Sequence, residues 1–250
     1  MINVLIKIHR SLHIVNCTVV RDASLKPART LSKDGSHHVT DEIYNTLISS
    51  LGAVLSIVGV ILLLSSSITT HKPWHIFSVA VYGVALINLF VASALHHGVS
   101  GSARTEHLLR QWDYYAIFIM IAGTFTPICL ILLRNTLGWS TLGLIWFLAV
   151  LGIVLKTKFH HLPKWIWVGL YIGMGWLALP LVGPLYREIP GGFVLLMIGG
   201  LFFTIGALFY YLEKPNPFPG KFGFHEIWHL FVLAGGVSHF CVIYFYLLPI

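Results

Sequence analysis

Charged side chains are scarce in this chain of 250 residues, because Asp, Glu, Lys and Arg together make up only 10% of it. Soluble globular domains carry about 25% charged residues, so the composition excludes that class, and it equally excludes a disordered or coiled-coil chain. Hydrophobic residues make up 56%, and the mean hydropathy is +0.81. A chain of this composition cannot cover itself with polar surface, so we predict an integral membrane protein.

Cysteine and acidic residues are also scarce. The three cysteines, Cys17, Cys129 and Cys241, are too few and too scattered for a disulfide framework. Nine acidic residues stand against sixteen Lys and Arg, which gives a formal net charge of +7. In a membrane protein this excess mostly reflects topology, so we do not expect nucleic acid as a partner.

Seven apolar stretches are long enough to cross a bilayer. Each approaches or exceeds the ~17 residues that a membrane-spanning helix needs, and none alternates as a barrel strand would. Because lipid offers the backbone no hydrogen-bond partners, the stretches should be helical. In the fifth stretch, Gly169-x-x-x-Gly173 and Gly175 predict close packing against a neighbouring helix. The sequence thus predicts an all-α bundle of seven transmembrane helices at residues 43–67, 74–97, 105–133, 139–155, 164–182, 192–212 and 224–250.

The first 40 residues differ from the rest of the chain. They contain six Lys and Arg against two acidic residues, and no uninterrupted apolar core of a signal peptide. We therefore predict a flexible, basic cytoplasmic arm at residues 1–40, able to touch anionic lipid head groups. One membrane domain at residues 41–250 follows it.

The distribution of basic residues predicts the orientation of this domain. Thirteen of the sixteen Lys and Arg residues fall on the side of the N-terminus, and only Lys72, Arg134 and Arg187 fall on the other. The positive-inside rule then places the N-terminus in the cytoplasm and the C-terminus outside.

Polar side chains of the predicted spans converge on one membrane level. Spans four to six contain no acidic residue and no histidine. The predicted topology places the remaining candidates, except His239, near the cytoplasmic boundary. Four separate segments therefore bring polar and metal-ligand residue types to the same level: Glu42, Ser93, His97, Asp113, His225, Glu226 and His229.

The pair His225 and His229 is the clearest candidate for a metal site. Residues four apart share one face of a helix, about 6 Å apart along its axis, which lets two imidazoles reach one tetrahedral ion. Two interfacial histidines that extend toward water would show the same spacing. Asp113 is a functional candidate because a carboxylate inside a span costs a few kcal/mol, although Arg110 at i−3 could pair with it.

Three other polar groups have alternative explanations. Glu42 follows Thr40, a suitable N-cap, and an acid in the first turn of a helix is favoured by the dipole. His239 lies about 15 Å beyond His229 along a helix, so we expect a neutral imidazole hydrogen-bonded between helices. The segment His225-Glu226-Ile227-Trp228-His229 also matches H-E-x-x-H, in which the glutamate is a general base, so an intramembrane zinc protease is a minor alternative.

Four ordered motifs resemble the bacterial hemolysin III family, which is related to the progestin and adipoQ receptors and, more distantly, to alkaline ceramidases. The resemblance covers residues 41–250, nearly all of the chain except the basic arm. The motifs are Asp41-Glu42-Ile43-Tyr44-Asn45, then Ser93-x-x-x-His97, then Gln111-Trp112-Asp113-Tyr114-Tyr115-Ala116-Ile117 with Ala122-Gly123-Thr124-Phe125-Thr126-Pro127, and finally His225-x-x-x-His229.

The resemblance implies a multi-pass protein of the inner (plasma) membrane with a zinc site on the cytoplasmic side. By similarity, zinc would be bound by His97, His225 and His229. Asp113 would hold the zinc-bound water, and Ser93 would orient that water or a substrate carbonyl. Three protein ligands plus water are typical of catalytic zinc. The neighbouring His96 is expected to point about 100° away from His97 on the helix.

Two classes of function remain open. One is a zinc-dependent hydrolase that cleaves an amide or ester bond of a membrane lipid, because zinc lowers the pKa of water and polarises a carbonyl. The other is a non-enzymatic membrane protein with structural zinc, either receptor-like or pore-forming and cytolytic. A pore should present a polar stripe across the bilayer, whereas spans four to six offer mainly Gly, Thr and aromatic residues.

Overall fold

The computed structural model describes Ser32, Lys33, Ser36 and residues 42–250. Apart from those three positions, the basic arm predicted at residues 1–40 lies outside the described residues. Within the described part the chain is helical, without regular strands, and seven helices are long and apolar enough to cross a membrane. The prediction of a seven-helix membrane protein is confirmed.

The helices begin and end within a few residues of most predicted boundaries. Pro73 and Pro190 open the second and sixth spans, at a position where a helix needs no backbone N–H. The hydroxyl of Ser102 caps the third span by accepting a hydrogen bond from the N–H of Thr105. The seven spans are Ile43–Thr69, Pro73–Gly98, Ala103–Leu132, Thr136–Lys158, Lys164–Glu188, Pro190–Leu212 and Phe224–Leu247.

Three of the spans contain irregular turns that the sequence pattern did not predict. The third and the seventh end in π-helical turns, at Ile128–Leu132 and Ile243–Leu247. The fifth is divided into an α-helix at Lys164–Trp176, a 3-10 turn at Leu179–Leu181 and a short helix at Val182–Glu188. Pro180 lies in this turn, where the missing N–H and the ring interrupt the regular hydrogen bonds of a helix.

The spans are arranged around the bundle in chain order. Each packs against the next, the seventh packs against the first, and the third is the most buried of the seven. The first, third and seventh spans therefore begin at the same end of the bundle, where the second span ends. At the opposite end, Nζ of Lys72 donates a hydrogen bond to the carbonyl of Ile250 over 2.6 Å. We call the end at which the first, third and seventh spans begin the site end.

Small residues permit close packing in the first span but not in the fifth. At Gly52, a Cβ atom would collide with the ring of Phe90 from the second span, so only glycine allows this approach. The packing predicted for Gly169, Gly173 and Gly175 is wrong. All three are exposed, and apart from the glycine, its chain neighbours and the nearby backbone of its own helix, no atom lies within 4 Å of the position that a Cβ would take. The fifth span contacts the bundle through another face.

Candidate metal centre

Three histidine side chains from two spans meet at the site end of the bundle. His97 lies in the last turn of the second span, and His225 and His229 lie in the first turns of the seventh. Nε2 of His97 is 3.3 Å from Nε2 of His225 and 3.2 Å from Nε2 of His229, and all three residues are buried. Helical spacing aligns the pair on the seventh span, and packing of the two spans brings His97 to them.

These distances suit the ligands of one tetrahedral ion. At Zn–N distances of about 2.0–2.1 Å, tetrahedral geometry places two ligand nitrogens about 3.3 Å apart. Three convergent imidazoles are also a donor set that suits zinc. The buried His/Asp cluster at this end of the bundle could therefore bind a metal ion.

Glu42, immediately before the first span, orients the ring of His97. Its Oε2 lies 2.7 Å from Nδ1 of His97, so a carboxylate here accepts the Nδ1–H and leaves the Nε2 lone pair facing the other two histidines. The side-chain amide of Asn45 donates to the same oxygen over 3.0 Å. The hydroxyl of Ser32 and the backbone N–H of Lys33 donate to Oε1 over 3.0 and 3.2 Å.

The surroundings of Glu42 stabilise its ionised form. Burial raises the pKa of the carboxyl, but the hydrogen bond from His97, the electrostatic attraction of its ring and the hydrogen bond from Asn45 outweigh burial and lower the pKa below its ordinary value. A carboxylate that accepts four donors in this way is a strong anchor for an imidazole.

The explanation of Glu42 as a first-turn acid is wrong. The helix begins at Ile43, and Glu42 is its N-cap, with φ at 64° in the left-handed region that few residues other than glycine adopt. Thr40, the N-cap expected from the sequence, lies outside the described residues. The signal that pointed to the correct role was the shared membrane level of Glu42 and His97.

Lys33 supports the same corner of the site. Its Nζ donates hydrogen bonds to the carbonyl oxygens of His97 and Val99 over 2.6 and 2.9 Å. These carbonyls belong to the end of the second span, where helical carbonyls lack intrahelical partners and a positive charge is favoured. A residue from the predicted arm therefore stabilises the helix end that carries His97.

Asp113 and His96 form a second group beside the three histidines. The ligand atoms of His96, His97 and Asp113 all lie within 4.8 Å of one another. The ring centroid of His96 is 4.6 Å from that of His97, and His96 is buried. His96 therefore lies close to the site. Its position on the helix had predicted the opposite, that it would point away from His97. Among the described residues, no ion pair joins Asp113 to Arg110.

Ser93 lies one turn before His97 on the second span and faces the same interior. Its Oγ is 2.9 Å from Oγ of Ser49, and both hydroxyls are buried. Either hydroxyl can donate in this pair. When Ser49 donates, the Ser93 proton is available to a group in the neighbouring cavity.

A long cavity of about 170 Å³ adjoins the histidines, and we call it the apolar cavity. It is lined by both His225 and His239, which are about 20 Å apart along the seventh span at helical rise. Ser93, Asp113 and His229 also line the cavity. The rest of its wall is contributed mainly by apolar and aromatic side chains of spans two, three, five, six and seven.

Two other candidates from the sequence have structural roles. Glu226 is fully buried, and its Oε2 accepts a hydrogen bond from the N–H of Gly223 over 2.7 Å, which caps the seventh span. The His239 imidazole is buried, with Nε2 3.3 Å from the carbonyl oxygen of Leu196 on the sixth span. The expectation of a hydrogen-bonded histidine between helices is therefore confirmed.

Comparison with known proteins identifies relatives of this chain. Residues 37–240 match the family described as haemolysin-III related. Hemolysin-3 of Bacillus cereus is 39% identical over 212 residues, covering 84% of this chain and 94% of its own. The Hemolysin-3 homolog of Bacillus subtilis (strain 168) is 36% identical over 209 residues, covering 83% and 95%. Monocyte to macrophage differentiation factor of Homo sapiens is 28% identical over 178 residues, covering 70% and 72%. No solved structure matches this chain significantly.

Proposed function

The chain belongs to the haemolysin-III related family, and from this premise we propose that it is a zinc-dependent hydrolase of membrane lipids. The bond cleaved would be an amide or ester that joins an acyl chain to its head group. The observation that carries the proposal is the convergence of three buried imidazoles. Nε2 of His225 and Nε2 of His229 each lie within 3.3 Å of Nε2 of His97, and His225 and His229 also line the apolar cavity.

Three histidine ligands would leave one coordination position of a tetrahedral zinc ion open for water or substrate. Three protein ligands are typical of catalytic zinc sites, whereas structural sites use four. His97, His225 and His229 would hold the ion, with Glu42 keeping His97 in the tautomer that binds. Bound there, zinc would supply a Lewis acid that lowers the pKa of water and polarises a carbonyl.

Asp113 and Ser93 would carry the remaining steps. Asp113 lines the apolar cavity, and its carboxylate oxygen lies within 4.8 Å of a ring nitrogen of His97. The carboxylate could therefore accept a proton from the attacking water and pass it to the leaving group. The Ser93 hydroxyl, while Ser49 donates to it, could donate a hydrogen bond to the carbonyl oxygen of the substrate.

The apolar cavity suits an acyl chain. Its wall runs for about 20 Å between His225 and His239 and is mainly apolar, so a chain lying there would place its carbonyl end at the histidines. The cavity also lies among the membrane-spanning helices, and in this proposal the lipid would enter it from the surrounding membrane. In line with the basic-residue bias, we place this site on the cytoplasmic side of the inner (plasma) membrane.

Other functions receive less support. A cytolytic pore needs a polar path through the bilayer, and the cavity between His225 and His239 is lined mainly by apolar and aromatic groups. A protease of the H-E-x-x-H type needs Glu226 as general base, but that carboxylate caps its own helix. A receptor with structural zinc differs from the hydrolase in one testable respect, its tolerance of a change at Asp113.

The test compares the wild type with Asp113→Asn, both zinc-loaded, on a panel of lipid amides and esters at neutral pH. Asn cannot accept the proton, so we expect unchanged zinc content and a loss of turnover of about 10²-fold or more. Glu188→Gln, an exposed change at the opposite end of the bundle, is the matched control and should retain full turnover. Absence of any fatty-acid release by the wild type, or equal rates for both proteins, would contradict the proposal.

A further inference from the structure

A second cavity, of about 200 Å³, lies beside the apolar cavity at the site end of the bundle. We call it the polar cavity, because two lysines and an acid line it: Lys156 from the end of the fourth span, Lys164 from the start of the fifth and Glu213 at the end of the sixth. The proposed hydrolysis gives none of these three residues a role.

The two cavities share a wall. Tyr114, Val168, Tyr171 and Tyr210 line both of them. The ring centroid of Tyr210 is also only 5.5 Å from that of His225. A molecule that extended from one cavity into the other would therefore lie along these side chains and pass close to His225.

Lys156 is the unusual group of the polar cavity. It is only 9% exposed, and its Nζ lies 4.2 Å from the ring centroid of Tyr114 and 4.3 Å from that of Trp167. Among the described residues, no carboxylate or hydrogen-bond acceptor lies within bonding distance of this ammonium. Lys164, in contrast, pairs with Oε1 of Glu213 over 3.1 Å.

Among the described residues that line the polar cavity, the charges therefore do not cancel. Glu213 offsets Lys164, and the positive charge of Lys156 remains, with the charge of Arg110 acting on it at longer range. Two aromatic faces offset part of the desolvation of this ammonium, but they supply only weak acceptors for its N–H donors, which face the cavity. Burial of an ammonium without a counter-ion is costly, so an anionic ligand would stabilise this arrangement.

We propose that the polar cavity is a head-group subsite that binds the acidic group, a carboxylate or phosphate, of a lipid whose acyl chain lies in the apolar cavity. The assignment of a lipid as ligand rests on the proposed function. The ammonium of Lys156 would donate charge-assisted hydrogen bonds to the anionic oxygens. The bond between acyl chain and head group would then lie beside Tyr210, next to the histidines.

The experiment measures binding by calorimetry to the zinc-loaded full chain in a neutral detergent. The probes are hexadecyl phosphate, which is anionic, and hexadecyl glycerol ether, which is neutral. Neither contains an acyl bond, so binding does not depend on turnover. Failure of hydrolysis and failure of head-group selectivity are thus distinguishable. We expect the wild type to bind the phosphate about tenfold or more tightly than the ether.

Variants locate the source of this preference. Lys156→Gln, and Lys156→Met with its similar stem volume, should bind both probes with equal affinity while retaining their zinc. Lys158→Gln is the matched control, since Lys158 is exposed two residues away, and it should retain the preference. Inorganic phosphate in hundredfold excess should not displace the lipid phosphate.

Three results would overturn the proposal. Equal affinity of the wild type for the two probes would show that the protein does not select an anionic head group, irrespective of the results with the variants. Persistence of the preference in both Lys156 variants would locate the anion elsewhere, for example at the zinc ion. Displacement by inorganic phosphate at similar affinity would assign the polar cavity to a soluble anion and not to a lipid head group.

Discussion

Glu42 and His97 are 55 positions apart in sequence, yet Oε2 of the carboxylate lies 2.7 Å from Nδ1 of the imidazole. This contact joins the start of the first span to the end of the second. It also determines which nitrogen of His97 carries the proton, because the carboxylate accepts a hydrogen from Nδ1. The other nitrogen, Nε2, is the one that meets His225 and His229.

Removal of the Glu42 carboxylate should therefore weaken metal binding without removing a ligand. Loss of a carboxylate that orients a ligating histidine typically costs 10–100-fold in metal affinity, and we expect this range for Glu42→Ala. Competition with a chelator of known zinc affinity measures the change. The exposed Glu188→Gln serves as control and should bind zinc as the wild type does. Unchanged affinity in Glu42→Ala would show that His97 is oriented by other contacts.

Adjacent histidines at the end of the second span should respond differently to substitution. His97→Ala removes the nitrogen closest to both His225 and His229, so it should lose most of the bound zinc. His96→Ala leaves all three nitrogens in place and should retain about one zinc per chain. Metal analysis of the purified variants measures the zinc content of each. Loss of zinc in His96→Ala, with retention in His229→Ala, would instead assign the ion to the group of His96, His97 and Asp113.

The seven spans and the His225–His229 pair were predictable because they depend on local properties. Span length and hydropathy identify a transmembrane helix in lipid, and a spacing of four residues fixes one helix face. His97 could be associated with the pair only through membrane level and family resemblance. Its contact with them depends on how the second and seventh spans pack, which sequence spacing does not encode.

Other features depended on contacts that no local pattern contains. Glu42 satisfied a local rule for helix starts, and this rule hid its long-range contact with His97. The Gly169 motif had the spacing of a packing motif, but the fifth span turns that face away from the bundle. Lys156 falls in the link between the predicted fourth and fifth spans, and only the packing of Tyr114 and Trp167 around its ammonium distinguishes it from the other basic residues there.

Glycine substitutions should separate a packed helix face from an exposed one. In Gly52→Leu the new side chain meets the ring of Phe90, and overpacking of this kind typically costs about 1–3 kcal/mol in the free energy of unfolding. Gly169→Leu places the same side chain in open space and should be at least as stable as the wild type. Thermal unfolding in detergent measures both variants. Greater destabilisation by Gly169→Leu would contradict the exposed position of the fifth-span glycines.

Reporter fusions should reveal the orientation that the basic residues predict. Thirteen of sixteen Lys and Arg residues lie on the N-terminal side, so a reporter before Met1 should read as cytoplasmic and one after Ile250 as extracytoplasmic. An alkaline phosphatase and a fluorescent-protein reporter, each fused at both ends, provide complementary signals. Both termini on the same side would be incompatible with seven spans, and a reversed assignment would place the site end outside the cytoplasm.

The central claim is that one zinc ion is held by His97, His225 and His229, and the zinc content of the purified protein tests it most directly. Elemental analysis of the wild type after removal of loosely bound metal should give about one zinc per chain. The double variant His225→Ala/His229→Ala retains a single ligand and should contain almost none, with its helical content unchanged by circular dichroism. Full zinc occupancy in a folded double variant would contradict the site.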